Sequence, residues 1–228
     1  MKQGNKIAIV IVLGLVVLFG AGQFFTASVT PVSQQSAVSN QQSAAGSQPA
    51  PTQVLAYAPP VLASGPKIES GSCWTGSIAA PYRKDAWRCA VGDGISDPCF
   101  QIPNNTNLIC GVDPQDPSSA FILQPTKPLP APNAIEGPVP TNWGWLVELQ
   151  GGTLCSPFTG TRPFAAGGES ANYSCAPGTL GNDVMIFGDL NASSSVWTAK
   201  VGTLSTSTKV FPPKLENAQV VNVVAVWQ

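Results

Sequence analysis

The six cysteines constrain the fold of this chain more than any other feature of its 228 residues. No two of them form a C-x-x-C pair, and the chain has no histidine, so their spacing does not fit a zinc site. An even number of cysteines beyond an apolar export segment is typical of disulfides formed in an oxidising compartment. We therefore predict that all six are disulfide-bonded: Cys73, Cys89, Cys99, Cys110, Cys155 and Cys175.

The spacing of the cysteines favours one pairing without excluding the others. Sequential pairing closes the shortest loops, so we favour Cys73–Cys89, Cys99–Cys110 and Cys155–Cys175. In the loop-entropy model, closing a loop of about 15 residues stabilises the folded state by roughly 3 kcal/mol. Trp74 and Trp87 flank the first of these disulfides and are expected to pack on it.

The N-terminal segment is apolar enough to enter a membrane. Lys2 and Lys6 precede an apolar run, residues 7–27, which as a helix would measure about 31 Å at roughly 1.5 Å per residue. A retained anchor (1–27) is favoured over a cleaved signal peptide, because no clear small-residue cleavage site follows the run. The lysines predict a single-pass protein with its C-terminal domain outside the cytoplasm, or a secreted one if the N-terminus is cleaved.

Two further regions follow the predicted anchor. Residues 28–66 are rich in Gln, Ser, Ala and Pro, and no charged residue occurs between Lys6 and Lys67. Such a segment has too little apolar bulk to form a core, so it is expected to be a disordered stalk. Residues 67–228 contain every cysteine and are long enough for one extracytoplasmic domain with its own core.

The outer domain is expected to be mainly β. The stretch WGWLVELQGGTLC alternates in polarity and contains QGGT, which predicts two strands joined by a hairpin turn. AQVVNVVAVWQ is apolar on both faces apart from Asn222 and predicts a buried strand. Frequent Pro and Gly leave little room for long helices. We expect a small disulfide-linked sheet or sandwich with long Pro/Gly-rich loops, behind the N-terminal transmembrane helix.

Five residues are candidates for a binding surface. Arg88, Asp97 and Tyr173 each lie within two residues of a cysteine, so disulfides would draw them into one neighbourhood. The simpler interpretation is that Arg88 and Asp97 pair to cap a turn. Trp143 and Trp197 are the better candidates for exposed aromatic faces, which would suit a sugar, whereas Trp145 and Trp227 should be buried.

No catalytic residue, metal site or cofactor is predicted. Without histidine, Ser-His-Asp and Cys-His mechanisms cannot operate within the chain. Asp93, Asp97, Asp113 and Asp116 do not match the pattern of a calcium-binding loop. The other carboxylates are scattered, and a glycosidase-type pair would have to meet in space.

A series of short segments resembles a known kind of domain. SCWTGSIAAPYRKDAWRC, DPCF, LIC, TKPLP, WLVELQGGTLCSPFTG, NYSC and VWTAKVG follow one another between Ser72 and Gly202. This series resembles an uncharacterised domain of exported bacterial proteins, which follows a membrane helix or a low-complexity stalk. The resemblance implies a bacterial, extracytoplasmic location and no established activity.

The expected function is that of a non-enzymatic cell-envelope or surface-displayed module, whose ligand the sequence does not identify. A cell-wall polysaccharide-binding module is the alternative, and a carboxylate-based hydrolase is the second alternative. The expected partners are the membrane, through residues 7–27, and an envelope glycan or protein. Nucleic acid is not expected, because the formal net charge is −1 and no basic stripe is present.

Overall fold

The computed structural model describes residues 48–59, 65–132, 134–206 and 211–228. The predicted anchor (1–27) lies outside these residues, as do positions 28–47 and 60–64 of the predicted stalk. In the ranges that the structure describes, no helix is long and apolar enough to cross a membrane. All the described residues belong to one compact unit, Gly46–Gln228.

The described residues form strands joined by turns, with a single 3-10 turn at Pro117–Ser119. The strands are β1 (Gln53–Leu55), β2 (Ile68–Gly76), β3 (Ala86–Val91), β4 (Gly94–Gln101), β5 (Leu108–Cys110), β6 (Phe121–Pro125), β7 (Leu146–Leu149), β8 (Thr153–Pro157), β9 (Ala171–Cys175), β10 (Met185–Asn191), β11 (Thr198–Leu204) and β12 (Leu215–Trp227). The prediction of a mainly β domain is therefore confirmed.

The first part of the domain is a closed five-stranded barrel. Strands β2 to β6 pair with their sequence neighbours in antiparallel fashion, and β6 closes the ring by pairing parallel with β2. The barrel core contains two disulfides, Cys73–Cys89 and Cys99–Cys110, packed with Trp87, Leu108 and Leu123. Each disulfide joins neighbouring antiparallel strands. Because both disulfides lie in the barrel core, they also fill part of this small apolar core.

The second part is an antiparallel meander of β7 to β12. The hairpin predicted at QGGT connects β7 and β8, and Gly151 and Gly152 adopt the positive φ angles that such a turn requires. The first part of β12 pairs with β11, and its last residues pair with β7, so the last strand of the meander also pairs with the first. The third disulfide, Cys155–Cys175, joins β8 to β9 and packs in the core of this sheet.

The three disulfides are those that sequential pairing predicts, but the architecture differs from a single sheet or sandwich. The domain contains a barrel and a second sheet, because the parallel pairing of β6 with β2 joins strands that are far apart in the sequence. The predicted buried strand at 218–228 is only partly buried. Its C-terminal half lies in the core, whereas Val220 is 70% exposed.

The end of the predicted stalk belongs to the fold. Strand β1 pairs parallel with residues 225–227 of β12, so residues 53–55 are ordered in the sheet and the prediction of disorder is wrong here. The Thr52 hydroxyl donates to the Val223 carbonyl at 2.7 Å and accepts from the Trp197 amide at 2.8 Å. A short uncharged segment can be ordered in this way because the sheet edge supplies its backbone partners.

Arg83 connects three parts of the domain. Its guanidinium forms a two-pronged ion pair with Asp85, at 2.9 and 2.6 Å, and donates to the backbone oxygens of Tyr57 at 2.7 Å and Gln228 at 3.3 Å. Its Cζ atom also lies 4.8 Å from the ring centroid of Phe100. Arg83 therefore joins the β1 segment, the barrel and the end of β12.

An apolar core lies between the barrel and the second sheet. Phe100 and Ile109 of the barrel pack with Trp145 and Trp227 of the second sheet. Tyr57 adds a third ring, with its centroid 4.6 Å from that of Phe100 and 5.1 Å from that of Trp145. Trp145 and Trp227 are buried as predicted.

Replacing Cys73 and Cys89 together by alanine should lower the free energy of unfolding by about 2–5 kcal/mol, because the cross-link restricts the unfolded chain and fills the barrel core. Urea unfolding followed by tryptophan fluorescence measures this. Ser70→Ala, at an exposed position of the same strand, is the control and should change the value by less than about 0.5 kcal/mol. An unchanged midpoint in the double variant would contradict a structural role.

Candidate ligand-binding site

The predicted pair of Arg88 and Asp97 forms between neighbouring barrel strands. Arg88 lies on β3 and Asp97 on β4, with Nη1 of Arg88 3.4 Å from Oδ2 of Asp97. The Asp97 side chain is 2% exposed and also accepts hydrogen bonds from the Ser77 hydroxyl and the backbone amides of Ile78 and Ala79. Both carboxylate oxygens thus hold the turn after β2.

The protonation of Asp97 is affected by its burial. Desolvation raises the pKa of the carboxyl, and the hydrogen bonds from Ser77, Ile78 and Ala79 and the charge of Arg88 lower it by a smaller amount. Every donor around the carboxylate belongs to the protein and is already engaged. We interpret Asp97 as an organiser of the turn and not as a group that handles a ligand.

Arg88 also connects the barrel to the loop after β8. Its Nη1 donates to the Thr159 carbonyl at 2.5 Å, and its Cζ lies 5.7 Å from the Trp74 ring centroid. Trp74 is 49% exposed and lies beside Arg88, outside the cluster in which the Cys73–Cys89 disulfide packs. The prediction that it packs on that disulfide is wrong, whereas Trp87 does pack there.

A cleft of about 530 Å³ lies between the barrel and the second sheet. We call it the barrel–sheet cleft; it is lined by Ile95–Pro98, Gly111–Asp113, Trp145, Leu146, Leu154, Ser156 and Ser174–Ala176. Its two carboxylates are Asp97 and Asp113, and Asp113 accepts from the amides of Gln115 at 2.8 Å and Asp116 at 3.3 Å. Both carboxylates therefore cap turns. Within the described ranges, no group of three or more His, Cys, Asp or Glu could hold a metal ion.

Trp143 and Tyr173, two of the predicted binding residues, meet at a smaller cavity of about 240 Å³. We call it the Trp143 cavity; it is lined by Pro140, Asn142, Trp143, Pro157, Arg162, Asn172, Tyr173 and Asp189. Tyr82 packs edge-on against Trp143, with ring centroids 5.4 Å apart, and the Gln228 side chain donates to the Trp143 carbonyl at 2.8 Å. These contacts fix the position of the indole.

Tyr173 forms the inner wall of the Trp143 cavity. It is 3% exposed, and its hydroxyl accepts from the Gly144 amide at 3.4 Å. Burial raises the pKa of Tyr173 to about 12. Smaller effects come from the Gly144 hydrogen bond, which lowers the pKa, from Asp189, which raises it, and from Arg162, which lowers it. The hydroxyl is therefore protonated at neutral pH and able to donate a hydrogen bond.

A network of polar side chains forms the outer wall of the same cavity. Nη1 of Arg162 donates to the Asn172 side-chain oxygen at 3.3 Å. The Asn172 side-chain nitrogen donates to the Gly188 carbonyl at 2.9 Å and to Oδ1 of Asp189 at 3.2 Å. Asn172 thus positions a guanidinium and a carboxylate at one cavity.

The predicted binding residues do not form one surface. Asp97 lines the barrel–sheet cleft, whereas Tyr173 lines the Trp143 cavity. Trp197 is only 9% exposed and belongs to the core of the second sheet, so the prediction of an exposed face is wrong. It lies directly before β11, where its amide donates to the Thr52 hydroxyl and its carbonyl accepts from the Val223 amide, and its ring packs in the core of this sheet.

Sequence reasoning missed Asn142, Arg162 and Asp189. Each lies in a loop or at a strand end far from the others along the chain, and no local motif connects them. The pairing of β9 with β10 and the paths of the loops before β7 and after β8 bring these side chains together.

Comparison with protein families, curated proteins and solved structures finds no match to this chain. The resemblance to an exported bacterial domain therefore stays a prediction.

The protonation of Asp97 should make stability depend on pH. Because its pKa is raised in the folded state, the folded protein binds this proton more tightly than the unfolded chain, whose value is near 3.8. Lowering the pH from 7 through the folded-state pKa should therefore increase the free energy of unfolding of the wild type relative to Asp97→Asn. Urea titrations at several pH values measure the difference.

The matched control is Asp93→Asn, which changes an exposed carboxylate in the turn of the same hairpin. It should follow the wild type across the pH range. A wild type that loses stability relative to Asp97→Asn on acidification would show that its hydrogen bonds outweigh its burial.

Proposed function

We propose that the protein is a non-enzymatic binding module, anchored to a membrane by residues 7–27 and displayed outside the cytoplasm. The three disulfides support an oxidising compartment, because such bonds are rare in proteins kept under reducing conditions. The apolar N-terminal run and the uncharged segment after it support presentation of the domain at a distance from the bilayer.

The observation that carries the binding role is the Trp143 cavity. It combines an aromatic wall with convergent polar side chains, which are the groups that orient a ligand in a small-molecule site. Tyr82 and Gln228 hold Trp143 in place, so the site is preformed. A preformed site loses less conformational entropy when a ligand binds.

Several features favour binding over catalysis. The chain has no histidine, and the pKa of Tyr173 is shifted further from neutrality, which does not suit a general base. The hydrolase alternative would need two available carboxylates, but Asp97 and Asp113 of the barrel–sheet cleft are each engaged in capping a turn. Nothing in the described residues favours that alternative.

The binding role predicts that the protein associates with cell-envelope material through Trp143. The full chain, kept in detergent, should cosediment with isolated envelopes, and Trp143→Ala should weaken this association about tenfold or more, because truncating a central aromatic anchor removes much of the binding energy. Sedimentation at several envelope concentrations gives the apparent affinity.

Two further variants make the result interpretable. Trp74→Ala removes an equally large, half-exposed indole that does not line the cavity and should bind as the wild type does. Asp189→Ala changes an exposed side chain of the cavity and tests the site without disturbing a core. Equal cosedimentation of the wild type, Trp143→Ala and Asp189→Ala would contradict a binding role for this cavity.

A further inference from the structure

We infer that the Trp143 cavity accepts a neutral, hydroxylated ring, that is, one sugar unit of a glycan. This inference rests on the proposed function and deepens it by naming the chemical class of the ligand. It also gives the polysaccharide-binding alternative a specific site. Three properties of the cavity support it: its hydrogen-bonding groups, its charge balance and its aromatic wall.

The hydrogen-bonding groups of the cavity are of both kinds. Asp189 uses Oδ1 to accept from Asn172, and Arg162 uses Nη1 to donate to the same residue. Among the described residues, the second Asp189 oxygen, the other Arg162 N–H groups and the side-chain amide of Asn142 have no protein partner. A ligand that pairs with these acceptors and donors must itself donate and accept hydrogen bonds, and hydroxyl groups do both.

Tyr173 adds a donor at the inner wall. Its hydroxyl accepts from Gly144, and in the described part of the chain no acceptor lies within reach of its proton. A buried hydroxyl proton without a partner is costly, so a ligand oxygen that accepts it would be favoured.

The charge balance of the cavity gives no advantage to a strongly charged ligand. Arg162 and Asp189 line the same cavity and act on Tyr173 with opposite signs. An anion that is attracted by the Arg162 guanidinium is repelled by the Asp189 carboxylate, and a cation meets the reverse, so neither gains a net attraction. A neutral ligand can hydrogen-bond to both groups, and bonds to charged partners are stronger than those between neutral groups.

The aromatic wall and the size of the cavity suit a single ring. Trp143 provides a half-buried indole, against which the apolar C–H groups of a sugar ring can pack. The volume of about 240 Å³ lies below the range of roughly 300–1,000 Å³ that is usual for drug-sized ligands. The cavity therefore holds one unit, and further units of a glycan would extend into solvent.

The experiment follows the indole N–H resonance of Trp143 by nuclear magnetic resonance. The ¹⁵N-labelled full chain is kept in a zwitterionic detergent without a sugar headgroup, and the resonance is identified by its absence in Trp143→Phe. The probes are glucose and N-acetylglucosamine, which are neutral, glucuronic acid, which is anionic, and glucosamine, which is cationic.

We expect a saturable shift of the Trp143 resonance with at least one neutral sugar and at least tenfold weaker binding of the two charged sugars. Asp189→Asn leaves Arg162 unbalanced and should move the preference towards glucuronic acid. Arg162→Gln should move it towards glucosamine. A merely structural role of these two residues would not change preference in opposite directions. Trp74→Ala is the control and should leave all four titrations unchanged.

Two results would overturn the inference: no saturable shift with either neutral sugar, or tighter binding of a charged sugar by the wild type. Either one, together with a loss of envelope cosedimentation in Trp143→Ala, would leave the binding role intact and reject the sugar class. Cosedimentation that is independent of Trp143 would instead reject the cavity as the binding site.

Discussion

The arrangement of the domain depends on the contacts of one side chain, Arg83. Its guanidinium forms an ion pair with Asp85. It also donates hydrogen bonds to the backbone oxygens of Tyr57 and Gln228, which lie in distant parts of the chain. The rings of Tyr57 and Phe100 lie beside it. An arginine suits this position because its planar group offers five donors in a fixed geometry and retains its charge when partly buried.

The candidate site depends on the same contacts through Gln228. Arg83 holds the backbone oxygen of Gln228, and the Gln228 side chain donates to the carbonyls of Trp143 and Pro140. The Trp145 amide donates to the Trp227 carbonyl at 2.9 Å, which holds the other end of the same loop. The aromatic wall of the cavity is thus positioned from the barrel, although the barrel contributes no residue to the cavity lining.

The sequence was sufficient for features that depend on local spacing. The disulfide pairs close short loops, and the QGGT hairpin has the glycines that its turn requires. The sequence did not predict the features that depend on contacts between distant segments. Strand β1 has no strand-like pattern of its own and is ordered by the edge of β12. Thr52 and Val223 bind the Trp197 backbone, and its ring packs in the core of the second sheet. Arg162 and Asp189 meet only because the folded sheet brings the loop after β8 next to β10.

Hydrogen exchange of individual amides in Arg83→Met tests most directly whether Arg83 joins the β1 segment, the barrel and the end of β12. The amides of Tyr57 and Gln228 bond between the β1 segment and the end of β12, and the Trp145 amide bonds to Trp227 next to that end. All three should exchange about tenfold faster or more than in the wild type, since hydrogen bonds to charged groups contribute roughly 1.5–3 kcal/mol. Those of Ile109 and Ile186, inside the barrel and the second sheet, should change less. Lys84→Met, which removes an exposed ion pair with Glu136, should leave all five unchanged. Unchanged exchange at Tyr57, Gln228 and Trp145 in Arg83→Met would show that Arg83 does not join these parts of the domain.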